Sequence, residues 1–155
     1  MLKLVVVFLI ATSSLFAHEI FKKDAEQFKA TINFENNKDG AKITLKAVPK
    51  KGWHINDGFP VSFKPKSEAT ILQFDKKKYK KKDAKVLKET ELLFEIPVKI
   101  LNSKKELKDE LNATVVLGVC TDKICKRIQF KVNASLENPI NRKAKTKTKK
   151  VDIKK

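Results

Sequence analysis

Apolar and polar residues alternate with a period of two along most of this chain, and that pattern argues against a helical core. "FKATINFE" (residues 28–35) sets Phe28, Ala30, Ile32 and Phe34 on one side. "AKITLKAV" (41–48) sets Ala41, Ile43, Leu45 and Ala47 against Lys42, Thr44 and Lys46. "NATVVLGV" (112–119) and "RIQFKVNASL" (127–136) repeat the pattern with Ala113, Val115, Leu117 and Val119, then Ile128, Phe130, Val132 and Ala134. Successive side chains of a strand point to opposite faces, so such runs bury one face and wet the other. The cluster "NNKDG" (36–40) joins the first two runs as a predicted hairpin. Shorter strands are expected at 53–56, 61–63, 69–74 and 91–101, with Pro97 marking an edge or a bulge in the last. "SKKELKDEL" (103–111) fits either one helical turn or a charged hairpin loop. Seven or eight short strands without a convincing helix predict an all-β fold, an antiparallel β-sandwich of immunoglobulin-like type, with a small barrel as the runner-up. No internal repeat is visible.

A chain of 155 residues supports one domain with a real core. Its start reads as a secretory signal peptide. Lys3 forms a short basic region, residues 4–10 an apolar one, and Ala17 a small residue at the cleavage point. The apolar run falls well short of the ~20 residues needed to cross a bilayer. The expected organisation is therefore a signal at 1–17, a β-sandwich domain at 18–139 and a polar, basic tail at 140–155. A periplasmic location follows from export. The formal charge is +17 and unevenly spread. The tail "RKAKTKTKKVDIKK" carries eight basic residues and one acid, and "KKKYKKKDAK" (76–85) forms a second block that reads as a loop. Lysine dominates and arginine is scarce, which speaks against specific nucleic-acid recognition, where arginine makes the bidentate contacts. Adhesion of the tail to an anionic envelope surface fits better.

The chain has two cysteines, Cys120 and Cys125, in "VVLGVCTDKICKRIQF". Five extended steps would part them by ~16 Å, whereas a disulfide needs Cα atoms roughly 4.4–6.8 Å apart. "TDKI" must then be a turn, for which Thr121, Asp122 and Lys123 are suitable, and the cysteines face one another across a hairpin mouth. Export makes the oxidised form sustainable. A bond closing so short a loop is a modest staple, but it is accessible, and Lys123, Lys126 and Arg127 favour a thiolate. A passive structural disulfide and an exchanging redox pair both remain open at this level.

Three segments, "KITLKAVPKKGWHIND", "ETELLFEIPVKI" and "ATVVLGVCTDKICKRIQFKV", together resemble the N-terminal periplasmic domain of the thiol:disulfide interchange protein DsbD and its stand-alone relatives, the disulfide bond corrector-type domains. The likeness covers residues 28–136. It implies an immunoglobulin-like sandwich whose Cys120 and Cys125 form a redox pair. That pair would take electrons from a membrane-embedded or thioredoxin-like donor and pass them to periplasmic thiol/disulfide proteins. The chain would then be a protein-disulfide reductase or interchange component without a cofactor. It further implies a cap loop with an aromatic residue, for which Tyr79 is the candidate, and places His54 or Asn56 near the sulfurs. Two features depart from the family. Four residues separate the cysteines where DsbD has five, and Lys126 and Arg127 stand where many relatives have proline. The 155 residues also hold neither a membrane domain nor a thioredoxin-like one. The alternative is a non-enzymatic immunoglobulin-like binding or assembly module with a structural hairpin disulfide.

Other candidates are weaker. Trp53, the single tryptophan, suits the space between sheets. His18 and His54 are the only histidines, and their spacing says nothing of proximity. The cysteines lack the ligand pairs of a zinc motif, so no metal is expected. "NAT" and "NAS" at Asn112 and Asn133 match a glycosylation pattern common by chance. No serine triad or carboxylate pair stands out.

Overall fold

The computed structural model describes residues 17–37, 40–66, 72–101 and 108–137. Apart from Ala17, the predicted signal segment lies outside the described residues. So do the basic tail and residues 103–107 of the predicted turn or loop.

Two antiparallel sheets pack face to face. The first sheet runs β1 (His18–Asp24), β2 (Phe28–Asn37), β3 (Gly40–Pro49), β9 (Glu91–Ile100) and β6 (Leu72–Phe74), with β8 (Val86–Lys88) also paired to β9. The second runs β11 (Cys125–Glu137), β10 (Lys108–Cys120), β5 (Ser62–Pro65) and β7 (Tyr79–Lys80), with β4 (His54–Ile55) also paired to β10. The alternating runs supply the facing surfaces. Phe28 and Ile32, Ile43 and Leu45, Phe94 and Ile96 come from the first sheet, and Phe63, Val115, Leu117 and Val132 from the second. Phe130 of β11 stacks on Phe28 of β2 at 5.6 Å and on Phe21 of β1 at 6.3 Å, tying the two sheets together along one side. Phe63 meets Tyr79 at 6.3 Å and Phe74 at 6.5 Å on the other.

Several expectations need correction. Eleven strands are present among the described residues, more than the periodicity shows. β4 lies within the strand expected at 53–56, but a strand as short as β7 has no room for a period and exists because a neighbour pairs with it. β1 carries no buried residue and shifts register between Glu19 and Phe21, so its apolar pattern is blurred. The lysine block is not a plain loop. Tyr79 and Lys80 pair with Phe63 and Ser62, and Lys81–Asp83 forms a 3-10 turn. The Asp83 carboxylate accepts from the Lys80 N–H at 2.8 Å and from Lys76 Nζ at 2.6 Å, which closes that turn. Residues 108–111 belong to β10, because its pairing with β11 extends to Lys108 opposite Glu137. Pro97 marks neither an edge strand nor a bulge. β9 is flanked on both sides, and its register with β3 is unbroken. β8 reaches Leu93 and β6 pairs only from Val98 on, so Pro97 falls in the gap between them, where no ladder bond is lost on that side.

Candidate functional site at the β10–β11 hairpin end

β10 and β11 pair in continuous register over thirteen positions, ending at Cys120 opposite Cys125. The turn is then Thr121 to Ile124. The Thr121 N–H donates to the Ile124 carbonyl at 2.8 Å. Thr121 Oγ1 accepts from the N–H groups of Lys123 at 3.2 Å and Ile124 at 3.1 Å. No residue other than glycine has positive φ among the described residues, so the turn avoids the primed geometry usual for so short a hairpin loop. The threonine hydroxyl satisfies the backbone instead. Thr121 and Ile124 being the hydrogen-bonded pair, Cys120 and Cys125 next to them are a non-hydrogen-bonded pair, the kind whose Cα atoms approach most closely. Their sulfurs are joined at 2.00 Å, with the Cα atoms 4.0 Å apart.

Parity decides which face carries the bond. Leu111, Ala113, Val115, Leu117 and Val119 of β10 point into the core. Val116, Gly118 and Cys120 point the other way, and Val116 and Cys120 are buried without belonging to the core cluster. Cys120 is 1% exposed, whereas Cys125 is exposed. The disulfide therefore lies on the outer face of the second sheet. Register extends the row, because His54 of β4 is the direct partner of Cys120 on its other side. His54, Cys120 and Cys125 stand in one line across three strands, with half-buried His54 facing outward as its neighbour Ile55 enters the core.

What covers Cys120 and Gly118 follows from the β4–β5 connection. A turn from Lys50 to Trp53, closed by Trp53 N–H to Lys50 carbonyl at 2.9 Å, delivers the chain to β4. Gly52 takes the positive φ of 83° that its third position needs. Beyond β4, the Asn56 N–H donates to the Gly118 carbonyl at 3.0 Å, while Asn56 Oδ1 accepts from the Gly58 N–H at 2.8 Å. This folds residues 56–60 over β10 and sets Phe59 directly on Gly118, where any Cβ would overlap the ring base. Lys81 Nζ donates to the Asp57 carbonyl at 2.7 Å and fastens the loop from outside. A cleft of about 280 Å³ opens beside His54 towards Leu87, Lys88 and Glu89.

The electrostatics are one-sided. Several acids on the first sheet are taken up in ion pairs, among them Glu35 with Lys42, Glu91 with Lys46 and Glu95 with Lys85. Around the hairpin end, Lys123, Arg127 and Lys131 form no ion pair among the described residues, and Lys126 Nζ stands 5.4 Å above the Trp53 ring. Among the described residues no cluster of three or more His, Cys, Asp or Glu is placed to hold a metal ion.

Of the residues singled out by sequence, Cys120, Cys125 and His54 meet in one row. Asn56 adjoins it, but its side chain is spent on the loop. Tyr79 lies elsewhere. It is 3% exposed, belongs to the core and packs on Phe63, and its hydroxyl donates to Asp75. The aromatic residue on the face that carries the disulfide is Phe59, seated on Gly118 two residues before Cys120. Phe59, Gly118 and the Thr121 hydroxyl escaped the sequence reading. A glycine inside a strongly periodic strand was the available signal, since it often marks close approach by another segment.

Comparison of the chain with family models, with curated proteins and with solved structures yields no match.

Proposed function

We propose that this chain is a binding or assembly module of immunoglobulin-like type, in which the Cys120–Cys125 disulfide gives the exposed hairpin end a fixed shape. The observation that carries this reading is the bond itself, closed between cross-strand neighbours in an unbroken thirteen-pair hairpin with Cys120 buried. A bond across so short a loop contributes little through the unfolded chain. It does pre-organise the turn, which lowers the entropic cost of binding. The turn presents Ile124, 51% exposed, among Lys123, Lys126 and Arg127 and the single acid Asp122, an apolar anchor with a mainly cationic surround. The first strand among the described residues starts at His18, directly after the expected cleavage point, which supports an exported domain. The test is partner capture from a periplasmic extract by the wild type and by the Cys120→Ser, Cys125→Ser double variant. Retention of the same partner, bound more weakly because the turn is no longer pre-organised, supports the reading. Its loss from a folded double variant overturns it.

A second reading is thiol–disulfide exchange with periplasmic partners, as the resemblance to the DsbD N-terminal domain implies. What favours it is the asymmetry of the pair: Cys125 is exposed beside Arg127 and Cys120 is buried beside His54. Exchange needs one accessible sulfur and a partner able to resolve the mixed disulfide. Redox titration decides it. A reduction potential above about −300 mV supports exchange, and one well below that range marks an inert bridge.

A further inference from the structure

The outer edge of β11 is the longest strand edge without a partner beside the site. β11 ends the second sheet and pairs with β10 alone. Which of its backbone groups face outward follows from the turn. Ile124 accepts from Thr121, so it faces β10. Backbone groups alternate along an antiparallel strand, so the N–H and C=O of Cys125, Arg127, Gln129 and Lys131 point away from β10. β1 runs close to β11 around Phe130, with Phe21 stacked on that ring and Lys23 over it, but no strand pairing joins β1 to β11. The edge nearest the disulfide is thus an open ladder.

We propose that this edge accepts an extended, acidic segment of another polypeptide as an added strand, which names the partner class for the binding-module reading on which it rests. Charge selects the occupant. From Cys125 to Leu136 β11 carries Lys126, Arg127 and Lys131 and no acid. Like charges placed opposite one another destabilise a strand pair and opposite charges stabilise it. A second copy of β11 would set these cations against themselves, so the edge disfavours self-pairing, a common use of lysine on open edges. An acidic strand gains both the ladder bonds and the charge pairing, the logic of β-strand addition. It would extend the row from His54 through Cys120 and Cys125 by one position, with its own residue beside Cys125.

The test uses the full oxidised chain and a short synthetic peptide alternating Glu and Val, without cysteine. The control peptide has the same sequence with alternate backbone amides N-methylated, which keeps its charge for the basic tail but removes its ladder bonds. The unmodified peptide should slow hydrogen exchange at the Cys125, Arg127 and Gln129 amides by about tenfold or more, the mark of newly bonded N–H groups. Gln129→Pro removes an outward N–H that β10 does not use, so it should abolish that protection with an unchanged Tm. Arg127→Glu should weaken binding by about tenfold, or 1.4 kcal/mol. Unchanged exchange at these amides overturns the proposal, as does equal protection by both peptides, or self-association of the chain through β11 seen by sedimentation. None of these outcomes depends on the sulfurs, so strand addition can fail while partner capture by the double-serine variant succeeds, and the reverse.

Discussion

Phe59 rests directly on Gly118, on the outer face of the second sheet and one outward position from Cys120. Gly118→Ala would force a methyl group into the base of the Phe59 side chain. Part of residues 56–60 must then lift, and the Asn56 N–H bond to Gly118 stretches with them. Overpacking of this kind costs about 1–3 kcal/mol. Thermal melts should show the lower Tm. Phe59→Gly in the same chain should restore part of the Gly118→Ala loss, and no recovery would mean that the strain lies elsewhere.

Removal of the disulfide should be tolerated. A six-residue loop corresponds to about 2 kcal/mol in the chain-entropy relation, while thirteen strand pairs still hold the hairpin. The Cys120→Ser, Cys125→Ser variant should unfold cooperatively in urea with an unchanged slope and a lower midpoint. A loss well beyond about 4 kcal/mol, above the relation even for a ~15-residue loop, would make the bond a principal staple.

Tyr79 is the only tyrosine, so ultraviolet titration reports it alone. Burial, followed by the hydrogen bond to the Asp75 carboxylate, pushes its hydroxyl above the usual tyrosine range. Its phenolate should therefore appear only at strongly alkaline pH or on unfolding. The sign follows. Stability gained from the raised value is complete below the unfolded tyrosine pKa and is lost as pH climbs from there towards the folded value. Tyr79→Phe should cost about 1 kcal/mol at neutral pH, the worth of one hydrogen bond.

Acid should loosen the lysine block. The Lys76 ammonium, then the Lys80 N–H, hold the Asp83 carboxyl below its ordinary range. Lys50 does the same for Asp24, and Lys85 for Glu95. A depressed carboxylate pKa contributes stability above the unfolded value, and that contribution is lost as pH falls through the folded one. Tm measured downward from neutral pH should hold until the ordinary carboxylate range and then drop. Asp83→Asn should flatten part of that drop. A wild-type curve matched by Asp83→Asn at every pH would show that the pair contributes nothing.

The long strands were legible because their periodicity is a direct consequence of burying one face. β2, β3, β9, β11 and β10 from residue 112 on needed no tertiary information beyond that. β7 was not legible in kind, since two residues carry no period and a neighbour's free edge creates the strand, whereas β4 falls within the strand expected at 53–56. Tyr79 shows the limit of locating a residue by its surroundings in sequence. Six lysines within residues 76–82 suggest an exposed loop, yet pairing with Phe63 turns the ring inward.

By itself the sequence determined the β class, through its alternation, and the turn that a bond between Cys120 and Cys125 requires, since five extended steps would hold the sulfurs too far apart to join. Only the tertiary structure decided which face carries the disulfide, what lies over it and what stands beside it. Those outcomes depend on register: Cys120 falls opposite His54, and Gly118 falls beneath Phe59, only once β4 and the loop after it are laid against β10. Local pattern carries no record of that register, since it is set by the packing of segments about sixty residues apart in the chain.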